Sequence, residues 1–96
     1  MAKVIKWVDG LVMDALDSAD TARYNIDLSS FLGTDTLTAA SSVGEEITIS
    51  DTDFSGQNVT ILVTSGIINK RAKVRFAVST AVETFNRSFY IPIKSL

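Results

Sequence analysis

Five stretches of this chain alternate apolar and polar side chains with a period of two, and this pattern constrains the fold more than any other feature. Tyr24, Ile26 and Leu28 alternate with Arg23, Asn25 and Asp27; Ile47 and Ile49 alternate with Glu46, Thr48 and Ser50. Val59, Ile61 and Val63 are interleaved with Thr60, Leu62 and Thr64, and Val74, Phe76 and Val78 with Lys73, Arg75, Ala77 and Ser79. Phe89, Ile91 and Ile93 close the series among Ser88, Tyr90 and Lys94. A strand sends successive side chains to opposite faces, so each run reads as a strand with one buried and one wet face. The β-branched and aromatic residues that fill these runs are those a pleated, half-buried surface favours.

Turn-forming residues separate the runs: Gly33-Thr34-Asp35, Val43-Gly44, Asp51-Thr52-Asp53 with Ser55-Gly56, Ser65-Gly66, and Asn69. Adding Thr36–Ser41 and Lys3–Val8 gives about seven strands, the number of a small sandwich. The expected fold is all-β, an immunoglobulin-like antiparallel β-sandwich with an N-terminal arm. Residues 1–16 form that arm or an edge strand, and residues 17–96 form the sandwich. Shared parity assigns the core to Tyr24, Ile26, Leu28, Ile47, Ile49, Val59, Ile61, Val63, Val74, Phe76, Val78, Phe89 and Ile91. Pro92 cannot donate to a ladder, so its part of the last strand is expected at an edge or a bulge. Residues 11–22 read as an irregular arm, because a lone helix that short is marginal in water.

The chain has no cysteine and no histidine. This excludes disulfides, thiol nucleophiles, Ser-His triads and most zinc sites, so stability is expected from packing alone. No Ser/Lys or carboxylate pair has a spacing that demands a catalytic site, and the chain is not expected to be an enzyme or to hold a cofactor or metal. No apolar run approaches the ~20 residues of a membrane helix, and the chain is expected to be soluble. Charge is unevenly spread. Up to Asn69, ten acids accompany Lys3, Lys6 and Arg23; from Lys70 onward, six cations accompany Glu83 alone. Such asymmetry favours complementary contacts within the fold or between copies.

Four features are candidates for function. Glu45, Glu46, Asp51 and Asp53 resemble hard-cation ligands, but they lack a glycine-spaced loop and read as solvated turns. Arg71, Lys73 and Arg75 share one strand face, opposite Val74, Phe76 and Val78. Without aromatics evidently interleaved for base stacking, this stripe reads as a protein contact facing acids such as Glu45 and Glu46 of a neighbouring copy, not as a nucleic-acid site. Trp7 suits either an anchor in a partner's groove or a cover for the chain's own core. With Leu11 and other apolar residues of the arm, it is expected to contact a neighbouring subunit. Asp35 is expected to hold the turn after Gly33 by accepting backbone amides.

The stretch from Asp17 to Ser42, DSADTARYNIDLSSFLGTDTLTAASS, resembles the opening of the small phage fiber-tail adaptor proteins. That pattern is an acidic lead-in, a tyrosine strand, an aspartate followed by an apolar residue, then Leu-Gly-x-Asp-Thr-(Ile/Leu). It falls here on Tyr24, Asp27, Leu28, Leu32, Gly33, Asp35, Thr36 and Leu37. The later part is similar too: Val59–Val63, the Ser65-Gly66 turn, the strand through Phe76 and Val78 to Ser79-Thr80, and the closing strand Ser88–Ile93.

The resemblance implies a virion structural protein made in the host cytoplasm, an adaptor in the tail or neck that joins the tail to fibers or other connector proteins. Its expected partners are other virion proteins, with no nucleic acid and no membrane, and its expected state is several copies in a symmetric ring. The interface would draw on Trp7, Leu11, Arg71, Lys73 and Arg75. Two other readings are a host-surface module binding a glycan or receptor, and a capsid decoration protein.

Overall fold

Every alternating run becomes a strand, and two short strands precede them. The structure, a computed structural model, describes residues 4–96 except for the side chain of Phe31; the first three residues of the expected arm lie outside it. In chain order the elements are β1 (Val4–Lys6), β2 (Leu16–Asp17), β3 (Ala22–Asp27), a single helical turn α1 (Ser29–Leu32), β4 (Ala39–Glu45), β5 (Ile47–Ser55), β6 (Asn58–Gly66), β7 (Arg71–Ser79) and β8 (Thr84–Lys94). One sheet has the order β1-β3-β6-β5 and the other β2-β8-β7-β4. The longer strands pair antiparallel. The two short ones pair parallel, β1 with β3 and β2 with β8. The fold is thus an all-β sandwich, with parallel edge additions that periodicity did not reveal.

Parity places the core. Ile26, Leu28, Val59, Ile61, Val63, Val74, Val78, Phe89 and Ile91 are fully buried, with Ile47 and Phe76 nearly so. Tyr24 and Ile49 are half-buried and pack against this cluster from its margin. The Phe89 ring lies between those of Tyr24 and Phe76, with centroids 5.8 and 6.2 Å away and tilted planes. Such geometry suits the ring quadrupoles. Burying each of these side chains stabilises the fold by roughly 1.5–3 kcal/mol before the entropy of ordering them is counted.

The turn signals were less faithful. Val43-Gly44 is not a turn but the end of β4, and the chain reverses one step later at Glu46, whose φ of 66° is left-handed. Gly44 serves close approach instead: a Cβ there would overlap the Ile47 carbonyl. Asp51-Thr52-Asp53 likewise lies inside β5. Between Ile49 and Asp51 the pairing with β6 slips at Ser50. That extra residue flips the parity, so Ile47 and Ile49 point inward before it, and Thr52 and Phe54 after it.

Pro92 sits where the sequence placed it, at an irregularity. The arm bridges β8 at Val12 to Tyr90 and again at Leu16 to Ile93, so it advances one residue more than β8 does across Pro92. A residue without an N–H is tolerated at such a break.

Candidate protein-protein interface

The outer face of the β2-β8-β7-β4 sheet gathers most of the candidates. Ala72, Val74 and Phe76 of β7 point into the core, so Arg71, Lys73 and Arg75 must point out. Cross-strand register sets their neighbours. Lys73 lies between Glu45 of β4 and Tyr90 of β8; Arg75 lies between Val43 and Ser88; Ala77 lies between Ser41 and Asn86. The small Ser41 and Ala77 leave a shallow trough of about 290 Å³ beside the cations.

Tyr90 supplies what the sequence seemed to lack, an aromatic within the basic stripe. The Arg71 guanidinium lies 5.0 Å from its ring centroid and the Lys73 ammonium 5.9 Å. At a partly exposed site each such contact contributes about 0.5–1 kcal/mol. The alternation did hold the signal, since Tyr90 shares the parity of the exposed face; only the register of β8 on β7 reveals its place beside Lys73.

Arg75 finds its acid in its own chain. Its Nη1 donates to Glu45 Oε2 at 3.2 Å. The expectation that Glu45 of a neighbouring copy would answer this stripe is corrected to that extent: β4 and β7 are adjacent, so the carboxylate is already at hand. Both side chains are about half exposed or more, and such a pair contributes ~0–1 kcal/mol. Two more acids of the expected group, Asp51 and Asp53, are also engaged locally. Asp51 Oδ1 accepts the Thr52 amide, and Asp53 Oδ1 accepts the Phe54 amide. Among the described residues no cluster of three or more acids is placed to hold a metal ion.

The arm departs furthest from expectation. Trp7 is buried in the chain's own core, as are Met13 and Leu16, and Leu11 packs against them. The arm is zipped to β8: the Tyr90 amide donates to Leu11 O at 2.9 Å, Met13 N to Tyr90 O at 2.7 Å, and Ser18 N to Lys94 O at 3.1 Å. Burial and ladder bonds together hold the arm on its own sandwich. Arg87 follows it. On β8 it stands opposite Phe76, on the inward parity, yet its guanidinium lies 5.6 Å from the Trp7 ring and 5.5 Å from that of Phe85. A cation on an inward position is thereby stacked on aromatic faces.

Two carboxylates order the loops. Asp17 accepts the amides of Leu96 and Ala19, and these bonds hold it below the usual aspartate range. Asp27 accepts the Ser29 amide at 2.8 Å at the start of α1. Its carboxyl is likewise held low, first by the Ser29 backbone, then by the Ser29 side chain and Lys6. Tyr24 moves the other way. Burial raises it, and the charges of Asp14 and Asp20 add to the effect.

The Leu-Gly-x-Asp-Thr motif shapes the opposite end of the sandwich. Leu32 and Leu37 are buried and tie the loop to the core, while Gly33 takes the left-handed φ of 64° that ends α1. The Asp35 carboxylate has no hydrogen bond among the described residues. Gln57 holds the turn instead, its Nε2 donating to Gly33 O at 2.6 Å and to Asp35 O at 3.0 Å.

The chain is an all-β sandwich, and one outer face gathers Arg71 and Lys73 around the Tyr90 ring. The family model described as the podophage GP4 fiber-tail adaptor protein gp77 matches residues 16–92, and the chain belongs to that family. The family is one of phage tail structural adaptors, components of the virion. No curated protein matches the chain. Among solved structures, an endo-fucoidan hydrolase of glycoside hydrolase family 107 is similar over 90% of this chain, with 20% identity and a TM-score of 0.61. The chain spans only 13% of that enzyme, so the likeness is one of fold alone. A cysteine protease inhibitor from Entamoeba histolytica is similar over 97% of this chain and 95% of its own, at 7% identity and a TM-score of 0.48.

Proposed function

We propose that this chain is a virion adaptor that works by passive contact, joining the phage tail to its fibers or to another tail or neck protein. The family match over residues 16–92 carries the reading. The basic outer face of Arg71, Lys73 and Arg75 supports it, because charged faces set register and partner choice more than raw affinity. The protein is made in the host cytoplasm and assembles in several copies around the tail axis, where symmetry multiplies weak contacts. Residues 17–96 act as the sandwich, and residues 1–16 as an arm that completes its edges. Its partners are proteins, neither nucleic acid nor membrane. Host-surface binding is less well supported: a glycan site would need a concave patch of exposed aromatics, and Trp7, the one tryptophan, is buried.

Quantitative mass spectrometry of purified particles tests this. The chain is expected in the particles at a multiple of the tail symmetry, and particles made without it are expected to lack fibers or the next tail component. Complete particles from which the chain is absent would overturn the proposal.

A further inference from the structure

Among the described residues, one of the four sheet edges is left open. β1 and β2 are only three and two residues long. β5 is long, but its pairing is interrupted at Ser50, and Asp51 and Asp53 stand on it. Short length, irregular pairing and charge are the devices by which proteins blunt an edge. β4 has none of them over Ala39–Gly44. Its pairing with β7 runs without a slip from Ala39 to Glu45, and it carries Ala-Ala-Ser-Ser-Val-Gly before its first charge. Val43 is 64% exposed there. Because β4 ends its sheet, one row of its backbone donors and acceptors has no ladder partner among the described residues.

The surface beside this edge is selective. Three cations line β7 next to β4, and Glu45 is the carboxylate that the register sets among them. The trough over Ser41 and Ala77 gives a long side chain entering across β4 a route to Arg75 and Lys73. A strand added to an edge gains affinity from main-chain bonds and specificity from alternate side chains in such pockets.

We infer that β4 receives an extended segment of another virion protein, one that adds a strand to the β2-β8-β7-β4 sheet and directs glutamate or aspartate side chains toward Lys73 and Arg75. The charge balance of the face selects an acidic segment: a basic one would meet like charge, and a neutral one would leave the cations facing its backbone. This inference rests on the adaptor reading and deepens it by naming the docking edge and the chemistry of its partner.

Hydrogen–deuterium exchange, compared between the isolated chain and the chain in purified particles, tests the edge. Assembly is expected to slow uptake in peptides covering Ala39–Glu45. Zero-length carbodiimide coupling of the same particles tests the partner, with Lys73 expected to be joined to an aspartate or glutamate of a different virion protein. Particles carrying Val43→Glu or Arg75→Glu are expected to lose both signals while the isolated variants melt as the wild type does. Unchanged exchange in β4 on assembly would overturn the inference, as would a Lys73 cross-link to a second copy of this chain. In both cases the chain is still in the particle, so the adaptor reading stands; a chain absent from particles removes both.

Discussion

The indole Nε1 of Trp7 donates to the carbonyl oxygen of Ser88 at 3.1 Å, joining the exit of the first strand to the middle of the last. The bond links opposite sheets, and with Trp7 N donating to Asp27 O at 3.0 Å it fixes the arm as part of the sandwich. Trp7→Ala is expected to cost about 3–5 kcal/mol, the range for removing a large buried aromatic. Trp7→Phe, which keeps most of the packing and loses the hydrogen bond, should cost nearer 1 kcal/mol. Thermal melts give the totals. Hydrogen exchange should show β1 and residues 11–17 losing protection first in the alanine variant; an arm that stays protected there would mean that β8 alone holds it.

At the Leu32–Leu37 loop, Gln57 and Asp35 separate two explanations of one turn. Gln57→Ala removes both side-chain bonds to the loop backbone and should lower stability by about 1 kcal/mol. Asp35→Ala should change it by less than about 0.5 kcal/mol, as expected of a surface position. A larger loss for Asp35→Ala than for Gln57→Ala in chemical denaturation would restore the role that the sequence assigned to the aspartate.

The same contrast shows where the sequence was readable. Alternation is a local property, and it gave the strands, their faces and the outward placement of Arg71, Lys73 and Arg75. Ser50 hid the true course of β5, because one extra residue breaks the period that a reader follows. Gln57 was invisible for a different reason: a glutamine carries no turn signature, and it acts on residues 22 and 24 positions earlier. Trp7, Met13 and Leu16 lie on a segment with no period, and their burial depends on parallel pairing with strands far along the chain. Tyr90 and Lys73 each had the right parity, yet their contact required a register between two strands that no single run contains.

Two substitutions involving glycine should act with opposite signs. Glu46 holds a φ of 66° at the reversal between β4 and β5, a conformation that costs a residue with a Cβ about 1–2 kcal/mol and glycine little. Glu46→Gly is therefore expected to raise stability by up to about 1 kcal/mol, part of the gain being lost to the greater freedom of glycine in the unfolded chain. At Gly66 a Cβ would stand 2.7 and 2.8 Å from Cδ1 and Cγ1 of Ile93. Gly66→Ala should cost about 1–3 kcal/mol through overpacking. Denaturation midpoints measure both, and a stable Gly66→Ala variant would show that Ile93 can move aside.

Asp27 provides a prediction in pH. Its Oδ1 accepts the Ser29 amide, and Lys6 stands opposite it across β1 and β3. Both favour the charged form, so the folded state holds the carboxyl below its usual range. A depressed folded-state pKa makes the contribution complete above the unfolded value of about 3.9 and removes it as the pH falls through the folded value. Asp27 is only half-buried, so solvent screening keeps the effect small, under about 1 kcal/mol. Asp27→Ala should thus be less stable than the wild type at neutral pH, and the two should converge in acid. Asp27→Asn keeps an acceptor for the Ser29 amide but loses the charge, so it should fall between them at neutral pH and change less than the wild type on acidification. Melting curves of the three proteins from neutral pH into the acid range decide it: a wild-type advantage over Asp27→Ala that persists below the folded pKa would assign the effect to the shape of the side chain and not to its charge.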